Sequence, residues 1–249
     1  MNAERRKKRQ IRNLICIQYC AMELLLVLMA FEILGIGLKY CNKRQIQNET
    51  MVVHQESDNL QEEPEDGQLV VCIDAGHGGK DNGSDYRKRM EKDDNLKLAK
   101  AVASYLEQKD VHVVMTREED EFLSLEKRCR IANEAEANYF LSLHRNDGDG
   151  YGVETWVYSG ADVKTMKLAE TIMQKLDEVG IQRNRGVRQG TQKSGEKDYY
   201  VNTHSDMPSC IVEMGFINSD YDNSLFDEKL EDYAVAIGEA ILAVSNEIE

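Results

Sequence analysis

Only two prolines occur in 249 residues, and no internal repeat is visible. Repeat architectures are thereby set aside, and the natural division is one domain of about 180 residues plus extra segments. Cysteine occurs six times but never as a CxxC pair. Cys16, Cys20 and Cys41 lie in or beside an apolar run, and Cys72, Cys129 and Cys210 are scattered over core elements, so neither cysteine zinc sites nor a disulfide framework is expected. No GxGxxG is present, and Gly76-His77-Gly78-Gly79-Lys80 lacks the Ser/Thr and the spacing of a P-loop, which argues against a phosphate cradle. Positive charge is lacking over most of the length. Residues 45–249 carry a net −20, against +6 for residues 1–44. Such an acidic body repels phosphates at long range, so nucleic acid is not an expected partner.

Residues 1–13 form a basic head with six Lys/Arg, and residues 14–38 are mostly apolar. Twenty-five residues suffice to cross a bilayer with some tilt. Glu23 and Glu32 interrupt the run, yet Leu24 to Phe31 between them is wholly apolar. Six cations before the run and three after it predict a cytoplasmic N-terminus and an extracytoplasmic body. With no small-residue cleavage site after the run, the expectation is a retained single-pass anchor in the cell membrane rather than a removed signal peptide. Residues 39–67 are polar and acidic and read as a flexible tether.

From about residue 68 onward, strand and helix patterns alternate. Apolar runs predict strands at Leu69–Ile73, Val111–Met115, Tyr139–Leu143, Val153–Tyr158 and Cys210–Met214. Helical periodicity predicts helices from an Asp93 or Asp94 cap to Gln108, over Leu125–Ala135 with Ser124 as cap, over Asp162–Asp177, and over Glu228–Ile248. The fold class is therefore α/β: one domain over 68–249, with a twisted, largely parallel sheet and helices on both faces.

In open α/β sheets, ligands bind beyond the carboxyl ends of the strands. His77 sits in the glycine-rich loop after the first strand, and His144 directly follows the Tyr139–Leu143 strand. A single histidine there reads as a capping or hydrogen-bonding group. Two at equivalent strand ends point to a metal, because neutral imidazole is its commonest ligand. Glu91, just before the following helix, supplies a third donor, although a first-turn acid complementing the helix dipole is the alternative. Together His77, Glu91 and His144 make the two-histidine, one-carboxylate set of a catalytic zinc with an open fourth position. Glu213 lies inside an otherwise apolar strand, where a carboxylate is costly unless it has a partner or a task. Burial should raise it toward the range useful for proton transfer, and an ion pair with a core arginine is the competing reading.

In order and spacing, DAGHGGKDNG (74–83), EKDDNLKLAKAV (91–102), MTREEDEFLSLEKRCRIAN (115–133), FLSLHRN (140–146), GVETWVY (152–158) and PSCIVEMGFINS (208–219) resemble the zinc-dependent N-acetylmuramoyl-L-alanine amidases, a family of cell-wall hydrolases. The resemblance covers about residues 69–246. It implies Zn²⁺ on His77, Glu91 and His144, Glu213 as the catalytic carboxylate, and peptidoglycan as substrate, cut between N-acetylmuramic acid and L-alanine. Arg145 departs from the smaller residues frequent in the family, and either touches substrate or pairs with an acid. With Asn146 and Arg185 it completes the substrate-facing candidates, an exposed turn being the alternative for Arg185. Arg117, Arg128 and Asn133 read as helix and loop anchors, Trp156 as packing, and His54, His112 and His204 as structural or solvated.

Some relatives carry a helical segment after the strand corresponding to Val153–Tyr158 that covers the zinc. Here only Ser159-Gly160-Ala161 precede the next cap, which is too short for a plug. No obligatory activator protein is therefore expected. The competing functional readings are a catalytically dead, anchored wall-binding or scaffolding protein and a zinc carboxypeptidase acting on the stem peptide.

Overall fold

The computed structural model describes residues 64, 65, 67–192 and 195–246. The basic head, the apolar run at 14–38 and nearly all of the tether lie outside them. Among the described residues no helix is long and apolar enough to cross a membrane.

In chain order the elements are β1 (Val70–Ala75), β2 (Asp85–Tyr86), β3 (Arg89–Met90), α1 (Glu91–Glu107), β4 (His112–Met115), α2 (Leu125–Glu134), β5 (Tyr139–Asn146), β6 (Val153–Val157), α3 (Val163–Val179), β7 (Asn184–Gln189), α4 (Tyr200–His204), β8 (Ser209–Phe216), α5 (Asp220–Glu228) and α6 (Leu230–Asn246). Six strands form one sheet in the order β4-β1-β5-β8-β6-β7, and β2 pairs with β3 in a separate small hairpin. The pairs β4–β1, β1–β5, β5–β8 and β6–β7 are parallel, whereas β6 runs antiparallel to β8. Four strands thus point one way and two the other, a mostly parallel sheet in a mixed α/β domain.

Strand periodicity assigns the two faces. Val71, Ile73 and Ala75 of β1, Tyr139, Leu141 and Leu143 of β5, and Cys210, Val212 and Met214 of β8 pack with α1, α3 and α6 in the larger core. The alternate residues Val70, Cys72, Phe140 and Ile211 meet Cys129 and Ala132 of α2 and Val201 of α4 in a smaller one. With both faces covered, every residue of β1 and β8 is buried, which is why these strands read as continuous apolar runs rather than alternating ones. Each fully buried Leu, Ile or Val contributes about 1.5–3 kcal/mol, so truncating a central residue such as Leu141 to alanine would cost about 2–5 kcal/mol.

The expected caps at Ser124 and Asp162 are present, accepting from the Lys127 and Thr165 amides. Other boundaries move. The first helix starts at Glu91 after an uncapped Met90, three or four residues earlier than an Asp93 or Asp94 cap would place it. It can begin there because the Glu91 and Lys92 amides donate to Ser84 O and Asn82 O of the preceding loop and hairpin. Strand β5 continues past Leu143 to Asn146, so His144 lies within the strand. The expected closing helix is α6, starting at Leu230, and the short helix α5 before it was not expected. Elements β7, α4 and the β2–β3 hairpin had no predicted counterpart. Strand β7 reads NRGVRQ, with one apolar residue, because it is a half-exposed edge.

Candidate metal centre

Beneath the His77 loop lies a buried carboxylate. Asp74, the fifth residue of β1, is 1% exposed and accepts from Thr116 Oγ1 and Arg128 Nη1 at 2.6 Å each and from Ser142 Oγ at 2.5 Å. Burial alone would raise its carboxyl, but Arg128 and the two hydroxyls outweigh that and hold it below the usual carboxylate range. Arg128 also donates to Ala75 O and His77 O, and Arg117 to Ala75 O, Gly76 O and Lys92 O. Both arginines are therefore the loop anchors the sequence suggests. Their donors satisfy the carbonyls of a turn that has no ladder partner.

That bracing holds His77 in the left-handed region, at φ 61°, a conformation uncommon for a non-glycine residue. The Gly78–Asp81 bridge closes the turn, and Asp81 Oδ2 lies 2.9 Å from His77 Nδ1. The Nε2 atom is thus left to face Glu91 Oε1, 3.2 Å away. On the other side of the same oxygen stands His144 Nδ1, at 2.9 Å. Gly76 makes room for the ring: a Cβ there would lie 2.2 Å from His144 Nε2.

One donor atom from each of His77, Glu91 and His144 lies within 4.8 Å of the others. Ligands about 2.0 Å from a tetrahedral ion stand about 3.3 Å apart, close to the separations found. The Asp81–His77 contact supplies the outer-shell carboxylate that fixes a ligating histidine's tautomer. Two imidazoles and a carboxylate thus suit Zn²⁺, and among the described residues this is the one such cluster. Without metal the three groups satisfy one another. Burial would lower His77, but Glu91 and Asp81 outweigh it and lift it to about 9. Burial would raise Glu91, yet the two imidazoles hold it far below the usual range. A metal bound there would have to displace the His77 proton.

Glu213 enters the same cleft, of about 710 Å³, from β8, in register with His144 of β5 and with Glu154 of β6. Its Oε2 is buried and has no hydrogen-bond partner. Burial, with the charges of Glu91 and Glu154 added, lifts Glu213 to about 8. Among the described residues no arginine forms an ion pair with it, so the reading of Glu213 as the partner of a core arginine is not supported. Phe122, Leu125, Tyr199 and Tyr200 give the cleft an apolar side.

Of the three substrate-facing candidates, Arg145 and Asn146 border the cleft and Arg185 does not, and all three side chains are engaged by acids. The Arg145 side chain is fully buried. It pairs with Asp94, which also accepts from Arg89 at 2.6 Å, and donates to Asn223 at 2.7 Å. It is the acid-paired alternative, and its backbone amide donates to Glu91 Oε1 at 3.1 Å. Asn146 donates to Glu154 at 2.8 Å and Arg185 to Glu154 at 2.7 Å. Asp81, Asp94 and Glu154 were not singled out from the sequence. Asp81 had a legible signal, four residues after His77 in a turn-forming stretch, and Glu154 had another, a lone acid in an apolar strand like Glu213.

Comparison with known proteins agrees with this geometry. Residues 71–243 match the model of the family described as N-acetylmuramoyl-L-alanine amidase. The chain belongs to that family. It is 37% identical to YqiI of Bacillus subtilis over 72% of its length and 84% of that protein. It is 32% identical to the N-acetylmuramoyl-L-alanine amidase CwlM of Bacillus licheniformis over 67% of its length, covering 62% of that relative. Among solved structures, the N-acetylmuramoyl-L-alanine amidase from Clostridium difficile 630 superposes with a TM-score of 0.66 at 31% identity, over 72% of this chain and 97% of that one. The CwlD amidase from Clostridioides difficile, solved in complex with the GerS lipoprotein, gives 0.65 at 26% identity, over 72% and 99%.

Proposed function

We propose that this family member hydrolyses peptidoglycan at the amide between N-acetylmuramic acid and the L-alanine of the stem peptide, with zinc held by His77, Glu91 and His144. The observation that carries the reading is the unpartnered, buried Glu213 Oε2 in the cleft that holds the ligand triad. A buried acceptor without a partner costs about 1–3 kcal/mol, which a purely structural or wall-binding protein has no reason to retain. When bound, Zn²⁺ supplies Lewis-acid polarisation of the amide carbonyl and acidifies water. Glu213 takes the proton of the attacking water and returns it to the departing amine. Asp81 keeps His77 in the tautomer that presents Nε2, and Arg145 holds Glu91 from its backbone amide.

Digesting purified peptidoglycan and weighing the fragments tests this. An amidase releases whole stem peptides with a free L-alanine amine. Release of a C-terminal residue alone would identify a carboxypeptidase, and no release would identify a wall-binding protein.

For residues 14–38 we propose a single-pass anchor with the domain outside, on the strength of the flanking charge asymmetry. The soluble domain is proposed to act without an activator, since the β6–α3 connection is too short to cover the site. The GerS complex of CwlD makes addition of candidate partner lipoproteins the control.

A further inference from the structure

The hydrolytic reading gives Glu213 a task and leaves a second buried carboxylate beside it without one. Glu154 is 1% exposed and faces Glu213 across the antiparallel β6–β8 pair. Like charges at opposed positions destabilise a sheet, and a buried carboxylate is tolerated only when its oxygens are paired. At Glu154 they are. Oε1 accepts from Asn146 Nδ2 at 2.8 Å, Trp156 Nε1 at 3.1 Å and Gln192 Nε2 at 3.2 Å. Oε2 accepts from Arg185 Nε at 2.7 Å, and Arg188 Nε lies 3.9 Å away.

These donors come from the end of β5, from β6 itself, from β7 and from the loop that follows it, so one side chain fastens four segments. Two of the donors, Asn146 and Gln192, line the cleft. The Trp156 ring meets Tyr199 edge-on at 5.7 Å and 76°, and Gln192, held by the same carboxylate as Trp156, lines the cleft together with Tyr199. Gln192 is exposed, so its amide owes its fixed place at the cleft to the Glu154 carboxylate.

We infer that Glu154 is a positioning residue: through Gln192, Trp156 and Tyr199 it fixes the cleft wall against which the substrate is held. The inference rests on the proposed amidase reading for its substrate. Gln192 and Tyr199 supply the contacts, an amide and an aromatic edge suited to an N-acetylated sugar or a peptide group. Glu154 touches nothing that reacts.

Trp156 is the one tryptophan of the chain and reports on this wall directly. The full-length, zinc-loaded protein is titrated with a soluble disaccharide carrying its stem peptide, recording tryptophan emission and hydrolysis rates together. Emission of the wild type should change saturably. Glu154→Gln places an amide N–H among donors, and Gln192→Ala removes the contact itself. Each should raise the emission midpoint and KM about tenfold, the equivalent of one or two hydrogen bonds, with kcat within about threefold and zinc content unchanged. Combining them should cost no more than either alone, since one acts through the other, and Glu154→Asp should recover part of the loss. Reduced kcat at normal KM, zinc loss from Glu154→Gln, or additive effects would overturn the inference. If Glu154→Gln fails to fold, Gln192→Ala decides alone, and a normal KM and emission midpoint in it overturns the wall. A wild type that cleaves no such substrate removes the amidase reading instead, while the emission titration still tests the wall.

Discussion

The β4-β1-β5 half of the sheet and the β8-β6-β7 half both bury carboxylates at the same cleft, and they treat them in opposite ways. In and beside the first half Asp74 of β1 and Glu91 at the start of α1 are saturated: Asp74 by Arg128, Thr116 and Ser142, Glu91 by two imidazoles and the Ser84 and Arg145 amides. In the second half Glu154 is saturated too, but Glu213 keeps a buried oxygen with no partner. Satisfied carboxylates lock geometry, and Asp74 and Glu91 are held below the usual carboxylate range as well. The unsatisfied one is destabilised as an anion and is therefore able to accept a proton. The difference separates the carboxylates that hold the cleft's geometry from the one left open to a proton.

The largest expected effect tests the first half. Chelating the metal, or His144→Ala, should abolish stem-peptide release by roughly 10³-fold or more, several kcal/mol of transition-state stabilisation, with zinc restoring only the chelated wild type. Full activity in protein verified to be metal-free would break the comparison at its base. Next, Glu213→Gln should keep zinc, as measured by elemental analysis, and lose about 10²–10⁴-fold in turnover. Near-normal turnover in that folded, zinc-loaded variant would leave the unsatisfied oxygen without a role.

The two halves should diverge most clearly in stability. Arg128→Met strands Asp74 as an unpaired buried charge and should cost about 3–5 kcal/mol in urea unfolding. Glu213→Gln removes a carboxylate that had no partner and should not destabilise the metal-free domain. Equal losses in the two variants would erase the distinction.

The smallest effect is a pH dependence. Folding raises Glu213 from an ordinary 4.5 to about 8, so the folded state holds an extra proton between those values. Its contribution is fully present below about pH 4.5 and is lost as pH rises through about 8. Between pH 5 and pH 8 the metal-free wild type should therefore lose more melting temperature than Glu213→Gln does. Parallel melting curves for the two proteins would show that Glu213 titrates as it does in water.

Much of this was readable in the chain. His77, His144 and Glu213 each stand at or in a short apolar run that can be nothing but a buried strand, and the caps at Ser124 and Asp162 are local chemistry. Arg145 was not readable, because its partner Asp94 is 51 residues away and choosing between a substrate and an acid needs both positions in space. Strand β7 escaped because an edge strand half in solvent needs no apolar run. Glu154 was passed over although it has the same signature as Glu213, a lone acid in an apolar strand, since sequence spacing does not say which of two such acids finds donors.

The sequence by itself therefore determined the inventory: two imidazoles and a carboxylate of metal-ligand type, an acid in a core strand, and the α/β alternation that brings strand ends to one edge. Those follow from residue chemistry and from periodicity, which act over a few residues. Only the tertiary structure decided that Glu91 Oε1 lies between His77 and His144, that Glu154 gathers four side-chain donors, and that Glu213 Oε2 has none among the described residues. Hydrogen-bond satisfaction is settled over distances of about 3 Å, between groups that the chain brings together from far apart.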